Sequence, residues 1–256
     1  MPLKSRSRAV RAPARAGARD DPVPSGHDPD GRPPLVLVAR GLSKVFGEGD
    51  IATTAVADCD VEVRAGEILA IVGPSGSGKS TLLHLLSGLD TPTSGQVLLE
   101  GVDLHSLGDR KLAGLRSRRI GFVLQRFNLI PSLTVRENVA APMMLSGVPR
   151  DKALARADEM LHRVGIGHRG AAFPAQISGG EAQRAAVARA CSNNPALIFA
   201  DEPTGALDLA AGDRVMDLFG ELVRDLRASA IIVTHEPRLA ARADARLELC
   251  DGRPRA

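Results

Sequence analysis

Residues 68–81 read ILAIVGPSGSGKST, and no other stretch limits the possible folds so narrowly. Five apolar residues suit a buried strand, and the following STLLHLL suits a helix. Between them, Gly73 to Ser80 matches G-x-x-x-x-G-K-[ST] in full. Glycines there let the backbone curl until its N–H groups point inward, at the oxygens of a phosphate. The amino end of the next helix adds partial positive charge. Gly73, Pro74, Ser75, Gly76, Ser77 and Gly78 are therefore read as the cradle. Lys79 supplies a point charge to β- and γ-phosphates, Ser80 a hydroxyl for Mg²⁺, and Thr81 a further phosphate contact. A strand–loop–helix unit of this kind belongs to an α/β domain.

Other runs repeat the pattern. LVLVA (35–39), IGFVL (120–124), ALIFA (196–200) and AIIVT (230–234) have the length and β-branched content of buried strands. In residues 211–226, Val215, Leu218, Phe219, Leu222, Val223 and Leu226 keep helical spacing. Strands alternating with helices predict a mostly parallel core sheet, and an antiparallel β part is expected beside it. Residues 127–190 are poor in strand-like runs and predict an inserted helical subdomain. The domain proper is expected at 35–256.

Residues 1–34 are rich in Arg, Pro, Ala and Asp, and are expected to form a disordered tail. They hold seven basic and four acidic residues, which accounts for the whole net charge of +3. The remaining chain balances 26 basic against 26 acidic residues, which argues against a nucleic-acid surface. Three widely separated cysteines, Cys59, Cys191 and Cys250, fit neither a disulfide framework nor a metal site. No run of about 18 apolar residues is present for a membrane span.

The strand ends carry the chemistry. LIFADE finishes in Asp201 and Glu202, and two acids closing an apolar strand need partners or a task. In open α/β sheets, ligands lie beyond the carboxyl ends of strands. Asp201 suits Mg²⁺, and Glu202 suits the base that deprotonates an attacking water. His235 follows AIIVT and can reach a γ-phosphate, or serve as a turn residue. Gln125 follows IGFVL and can touch Mg²⁺ and water, or cap a loop.

A second glycine-rich helix start, ISGGEAQR (177–184), is harder to place. Ser178 and Glu181 fit an S-x-x-E capping box. The box leaves Gly179 and Gly180 without a reason, since glycine has low helix propensity. Missing Cβ atoms, exposed N–H groups and a serine hydroxyl make an anion site. One cradle already exists, so the second is expected to complete a site on another copy of the chain.

GPSGSGKST, Gln125, ISGGEAQR, LIFADEPTGALD and IIVTHE stand in the order of the motifs of an ABC-type ATPase, which the chain resembles over nearly all of 35–254. They look like its Walker A loop, Q-loop, signature, Walker B with D-loop, and H-loop. LLHLLSGLDTPTSGQVLLEGVDL and NLIPSLTVRENVAAP are similar to the group of macrolide-export, lipoprotein-release and cell-division ATPases. The resemblance implies ATP and Mg²⁺ as ligands and a head-to-tail homodimer with two ATPs between subunits. Ser178, Gly179 and Gly180 would meet the γ-phosphate in trans, with Glu181 beside them and Asp208 at the seam. It implies a separate integral-membrane permease docking near Phe127–Leu133, on the cytoplasmic face of the membrane. Adenine usually stacks on a tyrosine in this family; the chain has no Tyr or Trp, and Phe46 is either its replacement or a core residue. A regulatory ATPase that drives a permease-like partner without moving a solute would use the same motor.

Overall fold

The computed structural model describes Arg8–Ala9 and residues 31–255. Most of the tail expected at 1–34 therefore lies outside the described residues. The chain divides into two compact units. The first runs to Leu107 and resumes at Ile231; the second is Gly108–Ala230.

In the first unit, β1 (Arg8–Ala9) is followed by β2 (Leu35–Phe46), β3 (Thr53–Arg64) and β4 (Ile68–Val72). Then come α1 (Lys79–Leu86), β5 (Ser94–Leu99) and β6 (Val102–Asp103). LVLVA does form a strand, but in an antiparallel sheet of order β3-β2-β5-β6. β3 alternates: Cys59, Val61 and Val63 are buried while Asp60, Glu62 and Arg64 are half-buried, the mark of a sheet with one wetter face. β4 is buried at all five positions, as expected for a strand covered on both sides.

The second unit opens with α2 (Asp109–Arg119) and β7 (Ile120–Leu124). No strand interrupts α3 (Val135–Leu145), α4 (Arg150–Arg163) and α5 (Gly179–Cys191). β8 (Leu197–Asp201) and α6 (Leu209–Asp225) follow. β7 and β8 pair in parallel, Ile120 opposite Leu197 and Leu124 opposite Asp201. Phe122 and Phe199 stack between these strands with ring centroids 5.8 Å apart. On α6 the helical spacing holds: Val215, Phe219, Leu222 and Val223 are buried, with Met216 beside them.

β9 (Ser229–Thr234) begins in the second unit and ends in the first. The first unit then closes with α7 (Pro237–Ala240), β10 (Ala245–Cys250) and β11 (Arg253–Arg255). β10 runs parallel to β4, with Ala245 opposite Leu69 and Glu248 opposite Val72. It also flanks β1 in parallel and β11 in antiparallel fashion. No helix among the described residues is long and apolar enough to cross a membrane.

Candidate functional site

The first unit carries Phe46, Gly73–Thr81 and His235. β4 ends at Val72 and α1 starts at Lys79, so Gly73–Gly78 form the link. Gly78 caps α1 in the left-handed region, with φ 95°. A Cβ there would lie 2.1 Å from the Ala55 carbonyl oxygen, so only glycine fits between loop and β3. Ser77 is 3% exposed, and its Oγ has no hydrogen-bond partner among the described residues. A buried hydroxyl left unsatisfied calls for a ligand or a water. A Cβ on Gly76, by contrast, would meet nothing within 4 Å. Lys79 is 8% exposed, and its Nζ donates to the carbonyls of Gly73 (3.0 Å) and Pro74 (2.8 Å). The ammonium thus already lies over the loop, with its charge largely out of water.

Ser80 is exposed at the amino end of α1, and Thr81 is half-buried behind it. His235 is exposed one residue beyond β9. Phe46 is 46% exposed, which sets aside the alternative of an ordinary core residue.

The second unit carries Gln125, Ser178–Glu181, Asp201, Glu202 and Asp208. Since Leu124 lies opposite Asp201, Gln125 and the two acids leave neighbouring strands at one end. Gln125 packs close to the turn after β8: a Cβ on Gly205 would come within 2.9 Å of its Nε2. Glu202 has φ 44°, a left-handed conformation that a non-glycine residue rarely adopts. Strain of that kind gathers where a side chain must be aimed. Asp208 caps α6, its Oδ1 accepting from the Ala211 N–H at 2.9 Å.

At the start of α5 the capping box is complete. Ser178 Oγ accepts from the Glu181 N–H (3.3 Å), and Glu181 Oε2 accepts from the Ser178 N–H (2.8 Å). Arg169 Nε donates to the other Glu181 oxygen at 2.7 Å. The Ser178 backbone bond and then the Arg169 bond pull the Glu181 carboxyl down to about 2, against a small opposing effect of burial. Its carboxylate is thus engaged within the chain. The glycines are a different matter. Neither has positive φ. A Cβ on Gly179 would make ordinary contact with Phe127 and Leu207, and one on Gly180 only with the end of Arg184. Among the described residues, nothing requires glycine at either position.

Two features escaped the sequence reading. Arg189 donates to the carbonyls of Phe127 (2.8 Å) and Asn128 (2.5 Å), two consecutive left-handed residues just after Gln125. Nothing local in the sequence signals a bond across 61 residues. The second is an apolar groove of about 340 Å³ lined by Ile120, Phe122, Leu124, Pro142, Leu145 and Arg189, among others. Leu145 is 81% exposed at its edge. An exposed Leu is unremarkable alone, and only the fold gathers these residues into a patch. Of the expected docking segment, Ile130 is exposed while Phe127 packs toward Gly179.

Comparison with known proteins adds the following. The family model described as ABC transporter matches residues 56–205. The chain is 47% identical, over 220 residues, to the lipoprotein-releasing system ATP-binding protein LolD of Shewanella oneidensis, covering 85% of this chain and 95% of that one. It is 45% identical over 210 residues to an uncharacterized ABC transporter ATP-binding protein of Thermotoga maritima, covering 82% and 89%. Among solved structures, the dimeric post-hydrolysis state of the ATP-binding cassette MJ0796 bound to ADP and Pi is similar. It has TM-score 0.79 and 35% identity, covering 86% of this chain and 97% of that one.

Proposed function

The chain belongs to the ABC transporter family as an ATP-binding, ATP-hydrolysing subunit with the family's α/β P-loop fold, and from that premise we propose how its site works and what it drives. Two copies close head to tail over two ATPs and, in closing, energise a membrane permease that releases lipoproteins. The observation that carries this reading is the pair of helical glycines at 179 and 180. Each costs up to about 1 kcal/mol relative to alanine, and no contact among the described residues offsets it. A phosphate held by a second copy, brought close to bare backbone N–H groups, supplies the missing reason. The dimeric form of MJ0796 supports it.

Within each copy, Gly73–Thr81 hold the phosphates and Lys79 turns from its own loop carbonyls to the β- and γ-oxygens. The unsatisfied Ser77 hydroxyl fits that cradle. The Ser80 hydroxyl, the Gln125 amide oxygen and the Asp201 carboxylate are hard oxygen donors of the kind that would hold Mg²⁺. Bound there, Mg²⁺ would neutralise phosphate charge. Phe46 stacks on adenine. Glu202 accepts a proton from the attacking water as its oxygen bonds to the γ-phosphorus and the bond to the β–γ bridging oxygen breaks. His235 and Gln125 hold that water in line. Ser178, Gly179 and Gly180 bind the γ-phosphate from the other copy, Glu181 fixes Ser178 through the capping box, and Asp208 lies at the seam. Phosphate loss then loosens the dimer.

The groove beside α3 and the segment Phe127–Leu133 receive the permease, which holds the subunit at the cytoplasmic face of the membrane. Residues 127–190 act as the helical subdomain that carries this contact. The kinship with LolD supports lipoprotein release as the work done. Glu202→Gln tests the central step. It should keep ATP affinity, slow turnover by at least 100-fold, and accumulate as a dimer in size-exclusion chromatography with ATP. Turnover at the wild-type rate would remove Glu202 as the base.

A further inference from the structure

Lys44 and Phe46 are two apart on β2, so their side chains share one face of the strand. Lys44 Nζ lies over the Phe46 ring, 5.0 Å from its centroid. The ammonium is tightly held. It donates to Asp90 Oδ1 at 2.8 Å and to the Thr91 carbonyl at 2.7 Å, and its side chain is only 15% exposed. An ammonium has three donors. Two are taken by these oxygens, and the ring face lies within cation–π distance. Asp90 itself feels burial, but the bonds from Lys44 and the Thr91 N–H outweigh it and hold the carboxyl below its usual range. The cation, its counter-ion and the ring therefore form one fixed unit.

The strand that pairs with Phe46 also borders the phosphate loop. Phe46 pairs with Thr53, and Ala55, two residues on, is the residue whose carbonyl lies against Gly78. Phe46 and Gly78 therefore border the same short stretch of β3.

We propose that Lys44 is a positioning residue for nucleobase recognition: its anchored ammonium backs the Phe46 ring and makes it a better stacking platform for a purine. A cation over one face draws on the ring's π-density. The ring then repels the electron-rich base less and stacks with a gain that phenylalanine alone lacks. Tyrosine would offer a hydroxyl; here the lysine underneath supplies the electrostatic help instead. This rests on the reading of Phe46 as the adenine platform.

The test is calorimetric titration of the full chain, in EDTA, with ATP and separately with inorganic tripolyphosphate. Lys44→Met should weaken ATP binding about two- to fivefold while tripolyphosphate affinity stays unchanged. Lys44→Arg, which keeps a cation, should restore most of the loss. In a Phe46→Ala background, Lys44→Met should have no further effect. Lys44→Gln replaces Lys44→Met if that variant is insoluble. The proposal is overturned if ATP affinity survives loss of the cation, if ATP and tripolyphosphate weaken alike, or if the loss persists without the ring. If Phe46→Ala itself leaves ATP affinity intact, the platform reading falls, and the role of Lys44 with it.

Discussion

Gly78 and the pair Gly179–Gly180 are glycine for different reasons, and single substitutions separate them. Gly78 is required by its own fold: its φ is 95° and the Ala55 carbonyl fills the space a Cβ would take. Gly78→Ala should lower the melting temperature and abolish ATP binding together. Gly179 and Gly180 sit in helical conformation with room for a methyl group. Gly179→Ala and Gly180→Ala should keep or raise the melting temperature, by up to about 1 kcal/mol of stability each, while ATPase activity falls sharply. Thermal denaturation alongside a phosphate-release assay reads both quantities. Loss of stability in the second pair would mean that the glycines serve the fold, and the argument for a second copy would weaken. The sequence already pointed to this contrast, because the capping box explained Ser178 and Glu181 and left the glycines over. It could not show that the space beside them was open, which depends on where Phe127, Arg184 and Leu207 come to lie.

Among the elements, α3 is pinned by a side chain that no motif singled out. Asn138 is buried; its Oδ1 accepts from the Ile130 N–H, and its Nδ2 donates to the carbonyls of Ile130, Leu133 and Thr134. One amide thereby shapes the loop before the helix. Asn138→Ala should cost about 1–3 kcal/mol in urea denaturation and make residues 130–134 more open to proteolysis. An unchanged midpoint would show that the loop holds its shape without Asn138. Strands were legible where they were apolar throughout: ILAIV, IGFVL and the run to Asp201 appear as read. β3, β5 and β10 were not, because TTAVADCDVEVR, SGQVLL and ARLELC mix polar residues in and derive their order from neighbouring strands. The positions of the candidate site residues along the elements were easier to read than the strands. Each follows a strand end or opens a helix, and a short motif can encode that placement. Arg189 and the groove depend on distant segments meeting, and no local pattern records them.

For the molecule as a whole, the test is complementation between damaged copies. Lys79→Ala spoils the cradle, and Ser178→Ala spoils the surface offered to the other copy. Each variant alone should be nearly inactive. Mixed, they form some dimers with one intact composite site and one doubly damaged site, and ATPase activity should partly return. Heterodimers present without any recovery would count against a site shared in trans with independent halves. The Lys79 ammonium carries one more consequence, for ionic strength. It is already dry and bonded to Gly73 and Pro74, so nucleotide binding exchanges carbonyl acceptors for phosphate oxygens instead of stripping water from a solvated charge. Mobile ions screen buried charges weakly. On the proposed reading, the share of triphosphate binding that comes from this lysine should therefore vary less with salt than a surface lysine's share would.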